Sequence, residues 1–170
     1  MPVLTADAAI WLLLAAVPIS FYVAWSDMRS MRIPNGSVLL LAAGFLVIGL
    51  LALPWKGYLA QLVHLPVVLA VGFVASSLRL VGAGDAKFAA AMAPYVARGD
   101  GLLFLYLFAA MMVGAFIGHR TARSIPALRN LAPDWESWSR RRDFPMGLAL
   151  AGALVGYLLI ALLRDAPALG

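Results

Sequence analysis

Along the chain, long apolar runs alternate with short polar links. Runs of this length match what crosses a bilayer, because about 20 apolar helical residues cover its hydrocarbon core. The pattern predicts six helical segments: Ala8–Trp25, Ser37–Leu53, Tyr58–Leu80, a shorter Ala86–Ala97, Leu102–His119 and Met146–Leu163. One long polar stretch, from Arg120 to Pro145, separates the fifth from the sixth. No soluble domain, internal repeat or low-complexity tract interrupts the series. The expectation is an all-α integral membrane protein: one polytopic domain over residues 1–170, a six-helix bundle with a short fourth helix.

Composition strengthens this picture. Of 170 residues, 64% are hydrophobic and 12% charged, against about half and a quarter in soluble domains. There is no cysteine, which removes disulfides, thiol catalysis and cysteine-bound zinc from consideration. His64 and His119 lie on different apolar segments and form no ligand pattern, so no metal or other cofactor is expected. The net charge is +5, but the basic residues fall between apolar segments, which suits lipid headgroups rather than nucleic acid. The "MPVLTAD" before the first run carries no Lys or Arg, unlike a secretory signal, so that run is expected to be a retained membrane helix.

The placement of Lys and Arg predicts orientation. With the N-terminus outside, the cytoplasmic side holds Arg29, Arg32, Arg79, Lys87 and the six arginines from Arg120 to Arg142, and the outside holds Lys56, Arg98 and Arg164. The ten-to-three split holds only if the short fourth segment also crosses. Its twelve residues span roughly 18 Å against a core of about 30 Å. "VGAGD" is therefore expected to dip below the cytoplasmic surface as non-helical backbone, with Asp85 starting its helix there. Such backbone is tolerated only inside protein or beside a wet cavity.

Two acidic positions stand out. Asp27 lies in "SDMRSMRIPN" after the first segment, and Asp85 in "GAGDAK" at the start of the fourth. In an alternating bundle those two ends face the same side, so the carboxylates can converge. Two carboxyl groups sharing a site do not ionise together readily, so one serves as base and the other as acid in peptide hydrolysis by water. Helix dipoles favour the charged form at Asp85, at an N-terminus, and disfavour it at Asp27, at a C-terminus. The same spacing admits plainer roles: Asp85 as a helix N-cap, and Asp27 paired with Arg29 or Arg32. Pro34 and Asn35 are expected to form a turn and the cap of the second helix. Trp135 and Trp138 are expected to be an interfacial anchor, and His64 an interhelical donor. "GAFIG" and "GALVG" nominate the fifth and sixth helices as closely packed through Gly114, Gly118, Gly152 and Gly156.

At these residues the sequence resembles the type IV prepilin peptidases, membrane aspartic proteases with a G-x-G-D motif. "GAGDAK" is similar to the family's G-x-G-D-x-K, and "DMRSMRIPN" to its second signature, an Asp followed by I-P-N. The resemblance extends to the order and number of helices. It implies that Asp27 and Asp85 are the catalytic pair and that Gly82 and Gly84 shape the backbone at the substrate site. It implies a prepilin-like substrate whose basic leader is cut at the cytoplasmic face of a bacterial inner membrane. Larger members also N-methylate the new terminus, using a cytoplasmic insertion that this chain lacks. In size it is similar to the compact CpaA/TadV type associated with Flp pili. The competing expectation is a small proton- or ion-coupled transporter, since paired intramembrane carboxylates also serve proton relays.

Overall fold

The computed structural model describes residues 4–140 and 143–164, so Arg141 and Arg142 of the charge pattern lie outside the described residues. No strand occurs among the described residues. The elements are α1 (Ala6–Ser30), α2 (Asn35–Ala52), α3 (Trp55–Ser77), α4 (Ala83–Met92), α5 (Gly101–Ser124), α6 (Pro126–Leu131), α7 (Glu136–Ser139) and α8 (Met146–Arg164). Five of them, α1, α2, α3, α5 and α8, are long and apolar enough to cross a membrane. The short α4 is not among them. At about 1.5 Å per residue its ten α-helical residues span about 15 Å, and one 3-10 turn, Ala93–Tyr95, extends it.

Each end of α1 is closed by local chemistry. The Thr5 side chain accepts from the Ala8 N–H, and Met31, at φ 52°, returns its N–H to the Asp27 carbonyl. Leu12, Ala16, Ile19 and Val23 repeat at helical spacing along its buried face, and Asp27 continues the same stripe. That stripe packs on Leu150, Leu154, Tyr157 and Leu158 of α8, which together form much of the core. The alanine-rich α4 fits within the bundle, with Ala86, Phe88, Ala90, Ala91 and Met92 buried. It lies so close to α3 that a Cβ on Gly72 would come within 3.1 Å of the Ala86 Cβ.

A π-helical turn, Phe45–Gly49, interrupts α2. Such a turn loosens the backbone ladder, and two tyrosines donate to the carbonyls around it: Tyr95 to Leu41 at 2.9 Å and Tyr58 to Leu46 at 3.2 Å. Phe45 sits between the same two rings.

The glycine pairs behave differently from one another. A Cβ on Gly152 or Gly156 would touch Met111 or Leu107 of α5, so this face does bring α8 and α5 together. Gly114 and Gly118 have nothing within 4 Å of the same position. Helices α5 and α8 meet through one glycine face against methionine and leucine, and the GAFIG face is open.

At the end of the bundle away from Asp27, Asp100 is almost wholly buried. The Tyr157 hydroxyl donates to its Oδ2 at 2.5 Å and accepts from the Ala97 N–H at 3.1 Å, and the Leu4 N–H reaches the same Oδ2 at 3.4 Å. This network ties α8 to the α4–α5 link and to the chain ahead of α1. Tyr157→Phe is expected to lower stability by about 1–3 kcal/mol, because a buried carboxylate loses a donor. A fall in the melting temperature in detergent, with the surroundings of Asp27 unaltered, is the check.

Candidate active site

Asp27 is carried into the protein interior by the apolar stripe of α1. Its Oδ2 accepts the Gly147 backbone N–H at 2.7 Å, in the first turn of α8. Space for this is made by the glycine itself: a Cβ at residue 147 would lie 2.9 Å from Oδ2, 3.1 Å from the Asp27 Cβ and 3.2 Å from its Cγ. Asp27 thus ends one helix and meets the N-terminus of another. The helix-end asymmetry expected between the carboxylates is therefore offset, since a second dipole favours charge at Asp27.

Asp85 occupies the third position of α4, which starts at Ala83, three residues earlier than the sequence suggests. Only the backbone up to Gly82 is non-helical here, so "AGD" belongs to the helix rather than to a dipping loop. The physical reason is half of a capping box. Gly82 is the N-cap in an extended conformation (φ −65°, ψ 143°), and the Asp85 carboxylate turns back toward its backbone N–H over the first turn. Neither Gly82 nor Gly84 has a positive φ. The steric demand falls on Gly82, whereas a Cβ at Gly84 would make ordinary contact. A Cβ on Gly82 would sit 2.5 Å from Asp85 Oδ2, and one on Gly84 would sit 3.4 Å from the Ile33 Cβ and 3.8 Å from the Ile33 backbone N and O.

The carboxylates of Asp27 and Asp85 are close enough for their charges to act on each other. Both line two adjoining cavities. One, of about 390 Å³, continues over Arg32, Val81, Arg140, Asp143 and Phe144. The other, of about 350 Å³, continues over Ile33, Asn35, Gly84 and Lys87. Asp27 is buried and Asp85 half-buried. Neither forms an ion pair with Arg29 or Arg32 among the described residues. Two carboxylates with fixed backbone donors, at the junction of two cavities, can hold a water and an extended backbone segment between them.

The polar stretch after α5 supplies a wall of the larger cavity. Trp138 is buried rather than set at a lipid interface, because it stacks on His119 (5.3 Å between centroids) and on Trp135 (5.5 Å), with its indole N–H on the Ala132 carbonyl. Phe144 meets His119 and Phe116 edge-on and lines the cavity. Arg140 lies between Glu136 and Asp143 on the rim. The anchor-like grouping is instead Trp25, exposed between Tyr22 and the Arg29 guanidinium. At the α1–α2 link the Ser26 hydroxyl donates to the Arg32 carbonyl at 3.0 Å. There Pro34 is the N-cap of α2, and the Asn35 side chain accepts from Lys87.

Comparison with known families finds the type IV leader peptidase family over residues 10–119, a span that holds both Asp27 and Asp85. The chain belongs to that family. It is a peptidase, a multi-pass membrane protein by its apolar helices, and its family membership implies prepilin-type substrates. No curated protein and no solved structure matches it.

Proposed function

We propose that this protein is a membrane aspartic endopeptidase that removes the basic leader from type IV, Flp-like prepilins at the cytoplasmic face of the bacterial inner membrane. The orientation proposed has the N-terminus outside and α4 as a sixth, short crossing. The observation that carries this reading is the convergence of Asp27 and Asp85, from two distant stretches of chain, on one pair of adjoining cavities.

In the proposed mechanism the ionised carboxylate takes a proton from a water as its oxygen attacks the scissile carbonyl. The protonated partner donates to the carbonyl oxygen. The first carboxyl, now carrying the water's proton, passes it to the leaving amine, while the partner recovers its own proton from the intermediate's hydroxyl. Collapse of the tetrahedral intermediate breaks the C–N bond and frees the leader as a carboxylate. Gly82 and Gly84 keep side chains away from the first turn of α4, so that an extended substrate strand can approach Asp85. Family membership gives the transporter reading no support.

The test is processing of a Flp-like prepilin by the purified protein in lipid vesicles. The native protein is expected to release the leader and the Asp27→Asn and Asp85→Asn forms to leave the prepilin intact. Retained cleavage in either, at equal protein level, contradicts the dyad.

A further inference from the structure

The two segments that carry the carboxylates are joined by one side-chain hydrogen bond. Lys87 Nζ on α4 donates to Asn35 Oδ1, on the first residue of α2, at 3.2 Å. Among the described residues no other side-chain hydrogen bond links the first turns of α4 to the α1–α2 link. Ile33 lies beside α4 at Gly84, where an added Cβ would be in ordinary contact with it.

The covalent path on each side is short. Lys87 is two residues beyond Asp85, and Asn35 ends the tight link that begins at Asp27. That link is itself braced. The Met31 N–H holds the Asp27 carbonyl at 2.9 Å, Ser26 Oγ donates to the Arg32 carbonyl at 3.0 Å, and Ser37 Oγ donates to the Pro34 carbonyl at 2.7 Å. A displacement at Asn35 is therefore transmitted to Asp27 rather than absorbed in a slack loop.

Lys87 and Asn35 also line the smaller of the two cavities shared by the carboxylates. Lys87 forms no ion pair with either Asp27 or Asp85 among the described residues; its partner is a neutral amide. Lys87 reaches the start of α2, while Asp85, two residues earlier, lines the cavity it shares with Asp27.

We infer that Lys87 and Asn35 act together as a positioning pair, a latch across the α1–α2 link and α4 that sets the separation of the two carboxylates. This rests on the dyad reading above. The pair holds the base, the acid and the water between them in register, and it takes no proton itself. Its effect falls on the chemical step, because a misplacement of about 1 Å at reacting groups costs on the order of 100-fold in rate.

The experiment is a kinetic cycle on prepilin cleavage with Lys87→Met, Asn35→Ala, the double variant and Lys87→Arg, beside Asp27→Asn and Asp85→Asn. Lys87→Met and Asn35→Ala are each expected to lower kcat by about 10- to 100-fold with KM changed by less than about twofold. The double variant is expected to be no slower than the worse single, because one interaction is lost in each, and Lys87→Arg is expected to recover most of the rate. Multiplying losses in the double variant overturn the latch. So does a silent Asn35→Ala beside a damaged Lys87→Met, which would make Lys87 act alone, or an effect confined to KM. Should Lys87→Met fail to accumulate in membranes, Asn35→Ala and Lys87→Arg decide the matter by the same criteria. Failure of the dyad shows separately, as cleavage retained in the Asn variants.

Discussion

Replacing Asp27 or Asp85 by Asn is expected to reduce leader cleavage on the order of 10³-fold or more, because each change removes one half of an acid–base pair. The substitution is nearly isosteric. At residue 27 an Asn carbonyl oxygen can still accept the Gly147 N–H, and at residue 85 one can still accept the Gly82 N–H, so both helix starts keep their caps. What disappears is the capacity to take or give a proton at the substrate. Loss of activity with unchanged membrane accumulation and melting temperature is the expected signature. The double variant is expected to match the singles, since residues acting as one unit give non-additive losses.

Gly147→Ala is expected to lower kcat by about 10- to 100-fold although residue 147 takes no part in proton transfer. The added methyl would lie 2.9 Å from the Asp27 carboxylate oxygen, closer than van der Waals contact permits, and 3.1 Å from the Asp27 Cβ. Asp27 has a short side chain on a packed helix and cannot swing clear by a distant rotation. Either it shifts or the first turn of α8 does, and the 2.7 Å hydrogen bond is lost or lengthened. Gly114→Ala is the matched control. It also adds a methyl to a helical glycine, but nothing lies within 4 Å, so cleavage should be unchanged and the helix slightly more stable. Steady-state cleavage of a prepilin by the two variants, at equal membrane abundance, makes the comparison. Equal activities would mean that the contact between α8 and Asp27 carries no catalytic geometry.

Local pattern showed much of this architecture. The apolar runs marked the membrane helices to within a few residues, because burial in lipid imposes one composition over a whole span. Asp27 and Asp85 were legible as charges at helix ends in a chain with few to spare. Asp27 carries one more local signal, since it falls on the same helical stripe as Leu12, Ala16, Ile19 and Val23. Long-range pairing was not legible. Nothing near Gly147 in sequence announces a donor for a carboxylate 120 residues away. The hydrogen bond between Asn35 and Lys87 spans 52 residues, and a turn residue before a helix reads as a cap when its distant partner is unknown. The place of Trp138 is hidden for a related reason. A tryptophan beside arginines suits a lipid interface, and only folding puts His119 beneath it. The start of α4 is hidden because glycines before an Asp suggest a turn, whereas here the helix begins at Ala83 with the Asp85 carboxylate turned back toward Gly82.

The central claim, that residues 27 and 85 face each other at one site, is tested most directly by cross-linking. The chain contains no cysteine, so an Asp27→Cys/Asp85→Cys form carries only the two thiols of interest. Treated in membranes with a short bifunctional thiol reagent, it is expected to form an intramolecular link between α1 and α4. An Asp27→Cys/Asp100→Cys form, with its thiols at opposite ends of the bundle, is expected to form none. If both thiols at 27 and 85 react with a monofunctional reagent yet no link forms, the carboxylates do not share a site and the dyad is contradicted.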